Sequence, residues 1–249
     1  TSHRNFFRYS HFHSLQVKVE KRLSRGLSFL ASYSWSKAIS DGRGGADAGN
    51  TSGEPQNPYN LRLERALADE HQAQRFVFSY NYDLPFGSGR RFLASAGRTA
   101  NVLLGGWAVG GITTMASGRR VSPTVQGNPA NTGTTNRPNQ VGDPNLPRSR
   151  RRLERWFNTE AFVANAPFTY GNAARNTIDG PGRVHFDFAL YKHIAVGERL
   201  RLQFRAECFN LTNTPHFGAP NATVGGNAYG VISGAGDPRI LQFALRLLF

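Results

Sequence analysis

The last residues of the chain alternate strictly between apolar and polar side chains. One face of this segment is wholly apolar and consists of Leu241, Phe243, Leu245, Leu247 and Phe249. The other face consists of Gln242, Ala244 and Arg246. A period of two is that of a β-strand. A soluble protein avoids such an apolar edge because it invites aggregation, whereas a strand that closes a membrane barrel has a paired edge and an apolar face in lipid.

Seven segments share this alternation. They cover residues 14–23, 27–37, 74–83, 106–117, 183–194, 199–211 and 238–249. The turn Ser24-Arg-Gly26 predicts that the first two form a β-hairpin. A moderately helical stretch, 92–104, lies between the third and the fourth.

The connections between these segments alternate in length. Three of them are long and cover residues 38–73, 118–182 and 212–237. The connections after the first and fifth segments are turns, and the one after the third is of medium length. Counting back from Phe249 places every long connection on the same side of the sheet. Long loops on one side and short turns on the other are typical of an outer-membrane β-barrel, whereas a compact soluble domain rarely has such loops.

Composition agrees with a barrel and excludes a helical membrane protein. Hydrophobic residues make up 39% of the chain, and mean hydropathy is −0.45. No apolar run reaches the ~18 residues that a transmembrane helix needs. The net charge of +14 has no nucleic-acid motif beside it. We therefore place the arginines in a polar lumen and in exposed loops, and expect no nucleic-acid partner.

The strand count predicts a piece of a larger barrel. Bacterial barrels close with an even number of strands, and seven are found. The chain begins at Thr1 without a signal peptide. We expect an all-β fold in which residues 1–249 are the C-terminal part of one antiparallel transmembrane β-barrel, an open curved sheet with an unpaired first strand and long extracellular loops.

Several stretches resemble a known family. They are Ser32-Tyr-Ser-Trp-Ser-Lys37, Arg75-Phe-Val-Phe-Ser-Tyr-Asn-Tyr-Asp-Leu-Pro-Phe-Gly87, Gly105-Gly-Trp107, Arg205-Ala-Glu-Cys-Phe-Asn-Leu-Thr-Asn-Thr-Pro-His-Phe217 and the terminal strand. They resemble the C-terminal barrel of TonB-dependent outer-membrane receptors, in particular the Oar-like acidobacterial group with an N-terminal carboxypeptidase-regulatory-like domain. The resemblance implies a 22-stranded, plugged barrel that binds and takes up a scarce or bulky substrate.

The resemblance also implies partners. These are outer-membrane lipid, the barrel-assembly machinery, which reads Phe249 as a signal, and the TonB complex. The chain contains neither a plug nor a TonB-contacting motif, so energy coupling is implied only for an N-terminal part that is missing here. A metal chelate, an oligosaccharide and a peptide all remain open as substrate.

No segment predicts catalysis, a cofactor or a metal site. Cys208 lies among apolar residues of a strand and is interpreted as a small apolar side chain. Serines lack a nucleophile context. Glu64, Asp69 and Glu70 are expected in a solvated loop. His3, His11 and His13 lack a further ligand at a defined spacing. We therefore expect no enzyme activity.

Aromatic and basic residues provide the only candidates for substrate contact. Trp156, Phe157 and Phe162 either pin the long loop over the barrel mouth or stack on a substrate. Four arginines are predicted to face the lumen, where they would pair either with acidic groups of a plug or with an anionic substrate; they are Arg199, Arg201, Arg205 and Arg246. The plug is favoured, because unpaired buried charge is costly.

Two alternatives to an uptake receptor remain at this point. One is an outer-membrane barrel with an adhesion or secretion role and no TonB coupling. The other is a secreted β-sandwich that binds a ligand. The preceding sequence separates the first alternative from a receptor, and dependence on detergent separates the second.

Overall fold

The computed structural model describes residues 9–42, 55–95, 97–196 and 200–249. Seven long strands form its main sheet: β1 (Ser10–Ser24), β2 (Leu27–Ser40), β3 (Gln74–Asp83), β4 (Trp107–Ala116), β5 (Arg183–Val196), β6 (Leu200–Phe209) and β7 (Ile240–Leu248). All seven predicted strands are present, and their ends differ from the prediction by a few residues.

The seven strands form one antiparallel meander. Each strand pairs with the next along the chain, and the two-residue strand Ala66–Leu67 adds to the end of β2. Within the described residues, β1 and β7 each pair on one side only. The open all-β antiparallel sheet is thereby confirmed. A β-sandwich needs two large sheets packed face to face, whereas every other sheet in the described part of the chain has two strands.

A two-residue turn connects β1 and β2, and the strand register shifts once between this turn and Lys21. Arg25 and Gly26 connect the strands with φ angles of 53° and 82°. Two successive positive φ angles match the twist of a two-residue hairpin. Glycine also suits the second position because a Cβ there would lie 3.0 Å from the carbonyl oxygen of Asp83.

Strand register sorts the side chains into two different faces. One row of paired residues across five strands is apolar and contains Val17, Tyr33, Phe76, Met115 and Val184. The next row is mainly polar and contains Gln16, Ser34, Arg75, Ala116 and Arg183. We call the first side the outer face and the second the inner face.

The outer face continues to β7 and remains uncovered there. Phe243 and Leu245 are 67% and 68% exposed. Their partners on β6 are Ala206 and Phe204, and the rings of Phe204 and Phe243 stack with centroids 6.3 Å apart. Cys208 is buried on the same face opposite Leu241, which fits its interpretation as a small apolar residue.

Helical structure is limited and begins later than predicted. The only α-helix in the described residues is α1 (Arg98–Leu104), whereas the sequence predicted residues 92–104. Phe92 instead forms a β-bridge with Phe86, and its N–H donates to the Pro85 carbonyl at 2.9 Å. These contacts hold the start of the predicted segment in a non-helical form. No helix among the described residues is long and apolar enough to cross a membrane.

The long loops contain the buried core of the chain. In the described part of these loops, three short 3-10 helices are present, at Leu61–Glu64, Arg148–Arg150 and Thr159–Ala161. Among the described residues, two pairs of two-residue strands lie within the second loop, Arg120–Val121 with Ile178–Asp179 and Asn139–Gln140 with Phe162–Val163. A third pair, Thr124–Val125 with Thr223–Val224, joins the second loop to the third. The buried apolar cluster consists of Phe157, Ala161, Phe162, Ala173, Ile178 and Ala222. We call residues 55–73, 117–182 and 210–239 together the loop assembly.

Candidate functional site

A buried carboxylate holds the first two long loops together. Glu64 is 1% exposed. Its two carboxylate oxygens accept hydrogen bonds from Arg137 Nη1 and Nη2 at 2.9 and 2.8 Å. The Gln56 N–H adds a third bond at 3.0 Å. The expectation that Glu64 lies in a solvated loop is therefore wrong, because a buried arginine 73 residues away neutralises it.

The ionised form of Glu64 is the stable one in this setting. Burial alone raises the pKa of the carboxyl group, because a charge is costly where water is excluded. The hydrogen bonds and charge of Arg137 outweigh burial, with help from the Gln56 N–H and the charge of Arg175, and leave the pKa of Glu64 below its usual value. The carboxylate is consequently charged at neutral pH.

A second buried arginine connects the loops to the sheet. Arg175 donates to the carbonyl oxygen of Glu64 at 3.0 Å and to that of Ser40, at the end of β2, at 2.8 Å. Its guanidinium lies 3.4 Å from Asp69, which also accepts from Asn176 at 2.6 Å. Asp69 is thus also engaged in a network, and the loop assembly is anchored directly to a sheet strand.

The third long loop docks through aromatic packing. The ring of Tyr229 lies edge-on to Phe157, with centroids 5.4 Å apart, and its hydroxyl donates to the Thr159 carbonyl at 3.2 Å. Phe157 also packs edge-on against Phe162. Phe157 and Phe162 are buried inside the loop assembly, which favours pinning over stacking on a substrate.

Trp156 differs from its two aromatic neighbours. It is half-buried, and its Nε1 donates to the Asp179 carbonyl at 2.7 Å. Its ring lies 5.7 Å from the Arg151 guanidinium. The indole lines a cavity of about 600 Å³ together with Arg148 and Arg183. Contact between Trp156 and a substrate stays a prediction.

A larger cavity lies where the inner face meets the loop assembly. Its volume is about 690 Å³, within the usual range for small-molecule sites. Four arginines line it, namely Arg75 on β3, Arg119 and Arg120 in the loop after β4, and Arg183 on β5. Arg120 pairs with Asp179 at 2.6 Å. In the described part of the chain, the guanidinium groups of Arg75, Arg119 and Arg183 form no ion pair.

Strand register brings two of these arginines together. Arg75 and Arg183 both stand opposite Ala116, from the two strands that flank β4. Alanine leaves the space between them open, and both side chains lie on the inner face. Asp69 and His216 also line the cavity, but Asp69 is engaged by Arg175 and Asn176. The cavity therefore carries excess positive charge, which attracts anions.

The sequence contained a signal for part of this cavity. Arg75 and Arg183 open the predicted strands at 74–83 and 183–194 on the side of the long loops. Pairing both strands with the intervening one places the two residues near each other. Arg119 lies outside any alternating segment, and no pattern identifies it.

The arginines predicted to face the lumen have varied surroundings. Arg205 pairs with Glu207, two residues along β6, and its guanidinium lies 5.3 Å from the Tyr191 ring. Arg201 and Arg246 lie on the inner face, and neither forms an ion pair with another described residue. Arg199 lies outside the described residues. A plug or substrate as partner of Arg201 and Arg246 stays a prediction.

Histidines and carboxylates do not gather into a metal centre in the part of the chain that the structure describes. His185 contacts Asp187 at 2.8 Å, and its ring centroid lies 4.8 Å from that of His216. His11 and His13 lie on the exposed edge strand β1, and His3 lies outside the described residues. The absence of a cofactor remains an expectation.

Comparison with known protein families agrees with the observed antiparallel sheet. The family described as an outer membrane beta barrel domain matches residues 2–242. Neither a curated protein nor a solved structure matches the chain. The family match covers nearly the whole chain and places the protein in the outer membrane. The chain belongs to the outer membrane beta barrel domain family.

Proposed function

We propose that the chain is the C-terminal barrel part of a TonB-dependent receptor of the Oar-like type, which binds a scarce or bulky anionic substrate and takes it up. The observation that supports this proposal is the cavity under the loop assembly. It is lined by Arg75, Arg119 and Arg183, whose guanidinium groups have no ion-pair partner among the described residues. Arginine suits carboxylate and phosphate groups because its planar fork donates two parallel hydrogen bonds.

The loop assembly supports binding in a second way. The buried contacts of Glu64 with Arg137 and Arg175 hold the loops in one arrangement before a ligand arrives. A site that is already formed loses less conformational freedom on binding, so more of the contact energy appears as affinity. The ligand would approach from the loop side, since long loops of an outer-membrane barrel face the outside of the cell.

The partners of the receptor follow from the same proposal. Phe249 is 95% exposed at the end of the chain, where the barrel-assembly machinery would bind it. Energy coupling would use TonB, through residues outside this chain. The surrounding partner on the outer face would be outer-membrane lipid. We expect neither nucleic-acid binding nor enzyme activity.

Removal of charge from the cavity tests anion binding. We expect Arg75→Gln, Arg119→Gln and Arg183→Gln each to weaken binding of citrate by about tenfold, as expected when a hydrogen bond between charged groups is lost. Titration calorimetry on the complete protein in detergent measures this affinity. Arg25→Gln, in the turn at the opposite end of the sheet, is the matched control and should bind as the wild type does. Equal affinity in all four variants would contradict an anion site here.

Energy dependence distinguishes uptake from adhesion or secretion. Cells that carry the protein should bind substrate at the surface with or without TonB. Internal accumulation of the same labelled substrate should stop when TonB is deleted or an uncoupler collapses the proton gradient. Accumulation that persists without TonB would contradict TonB coupling, whereas surface binding with no accumulation in either strain would support the adhesion alternative.

A further inference from the structure

The connection between β3 and β4 lies on the side of the sheet opposite the long loops. We call its described residues, 84–95 and 97–106, the strap; it includes α1. Its N–H groups make internal hydrogen bonds, from Gly87 to the Phe92 carbonyl at 2.9 Å and from Ser88 to Asn101 Oδ1 at 2.7 Å. A Cβ on Gly87 would lie 2.7 Å from the Gly105 Cα, so the two ends of the strap are in close contact. The strap therefore has a defined shape.

A lysine on the outer face fixes the end of α1. Lys192 lies on β5 in register with Trp107 on one side and Phe204 on the other. Its ammonium donates to the Leu103 carbonyl at 3.2 Å and to the Gly105 carbonyl, and it lies 4.9 Å from the centre of the Trp107 ring. Trp107 Nε1 donates to the same Leu103 carbonyl at 2.9 Å. The C-terminal end of α1 is thus held against the outer face and not against the lumen.

Several apolar side chains of the strap are exposed. Leu103 and Leu104 are 65% and 50% exposed, and Val102, Phe92 and Leu93 are also exposed. This surface adjoins the outer face, because Trp107 and Lys192 of that face both contact the Leu103 carbonyl of the strap. If the outer face of the sheet lies in lipid, the apolar strap fixed to its edge is also in contact with lipid. The periplasmic leaflet fits this position, since the short turns of an outer-membrane barrel lie on the periplasmic side.

The charged residues of the strap are all basic and suit the phosphate groups of lipid headgroups. Residues 84–106 contain Arg90, Arg91 and Arg98 and no aspartate or glutamate. Arg90 lies 3.3 Å from Asp83 at the end of β3, and the Arg91 guanidinium lies 5.4 Å from the Phe92 ring. Segments that lie in the plane of a membrane surface combine exposed apolar side chains with basic residues in this way.

We propose that the strap anchors the barrel in the periplasmic leaflet, where Leu103 and Leu104 enter the boundary between headgroups and acyl chains and the three arginines bind lipid phosphates. The contacts of Lys192 support this assignment. The Lys192 ammonium is a charged group on the outer face, and it has two carbonyl oxygens as hydrogen-bond partners. These partners lower the free-energy cost of placing the charge at the membrane boundary. A second copy of the chain or a periplasmic protein would have to displace headgroups to reach the same surface.

Fluorescence in vesicles tests the location of the strap. The complete protein with Cys208→Ala and Thr99→Cys, labelled at the exposed position on α1, is inserted into phosphatidylcholine vesicles with or without phosphatidylglycerol. Spin labels on lipid headgroups should quench the probe more than iodide in the water does. Stronger quenching by iodide would overturn the proposal. Protection that appears only at high protein density, or only with added periplasmic protein, would overturn it as well.

Variants separate the contribution of the leucines to membrane binding from that of the arginines. Leu103→Gln with Leu104→Gln should abolish headgroup quenching, whereas Val141→Gln, an exposed apolar residue of the loop assembly, should leave it unchanged. Each of Arg90→Gln, Arg91→Gln and Arg98→Gln should reduce the preference for spin-labelled phosphatidylglycerol over phosphatidylcholine by about fivefold. Mobility on unheated gels verifies that each variant barrel is folded. Unchanged preference in a folded triple variant would refute the role of the arginines.

Discussion

Replacing Glu64 by glutamine is expected to release the loop assembly while the barrel stays folded. The carboxylate neutralises Arg137 and contacts Arg175, and all three side chains are almost fully buried. Glutamine carries no charge, so the buried Arg137 guanidinium loses its carboxylate partner, and breaking a buried ion pair in this way costs about 3–5 kcal/mol. Hydrogen exchange of backbone amides in residues 55–73 and 117–182 measures the opening of the loops, and about a thousandfold faster exchange is expected from a change of that size.

Glu160→Gln provides the control for this effect. Glu160 pairs with Arg155 at 3.2 Å, but its side chain is 82% exposed. An ion pair in water contributes about 0–1 kcal/mol, so exchange should change little. If both variants exchange equally fast, the buried pair does not hold the loops, and the account of a site formed in advance fails.

The second large effect is expected on β7. Leu245→Arg places a charge near the middle of the strand on the outer face, where lipid surrounds it in an outer-membrane barrel. The cost of arginine at the midplane is about 2–4 kcal/mol. Denaturant unfolding in lipid vesicles should give a lower midpoint, and folding efficiency should fall with it.

Gln242→Arg is the matched variant on the inner face of the same strand. Gln242 stands opposite Glu207, and Arg246 already occupies that face of β7. We expect the unfolding free energy to change by less than about 1 kcal/mol, as for a polar change in a wet lumen. A loss equal to that of Leu245→Arg would mean that the two faces do not meet different surroundings.

The sheet was predictable because its information is local. A strand with one face in lipid and one in a polar lumen must alternate at every second residue, and a shift by one residue would move every apolar side chain to the wrong face. The bounds of β3 therefore agree with the prediction at 74–83. The helix at 92–104 was less predictable, since the contact of Phe92 with Phe86 competes with helix formation.

The loop assembly was not predictable from local patterns. Glu64 and Arg137 are 73 residues apart, and nothing near either residue indicates its partner. The position of Glu64 in a long loop suggested a solvated carboxylate, and the expected environment was wrong for that reason. Trp156, Phe157 and Phe162 were predicted to act together in one loop, but the burial of the two phenylalanines depends on Tyr229 and Ala222 from another loop.

The candidate site was predictable in part. Arg75 and Arg183 belong to strands whose register could be derived, so their approach across Ala116 follows from the sheet. Arg119 reaches the same cavity from a loop, and its position depends on the packing of the loop assembly. The sheet is thus encoded by alternation, whereas the cavity also requires contacts between distant loops.

Accessibility of spin labels along β7 shows whether the apolar face of this strand lies in lipid. Single cysteines at positions 241–246, in a protein with Cys208→Ala, report contact with lipid through oxygen and contact with water through a nickel chelate. We predict high oxygen accessibility at 241, 243 and 245 and high nickel accessibility at 242, 244 and 246. Equal accessibility at neighbouring positions, or nickel access to the odd ones, would contradict a strand with its apolar face in the membrane.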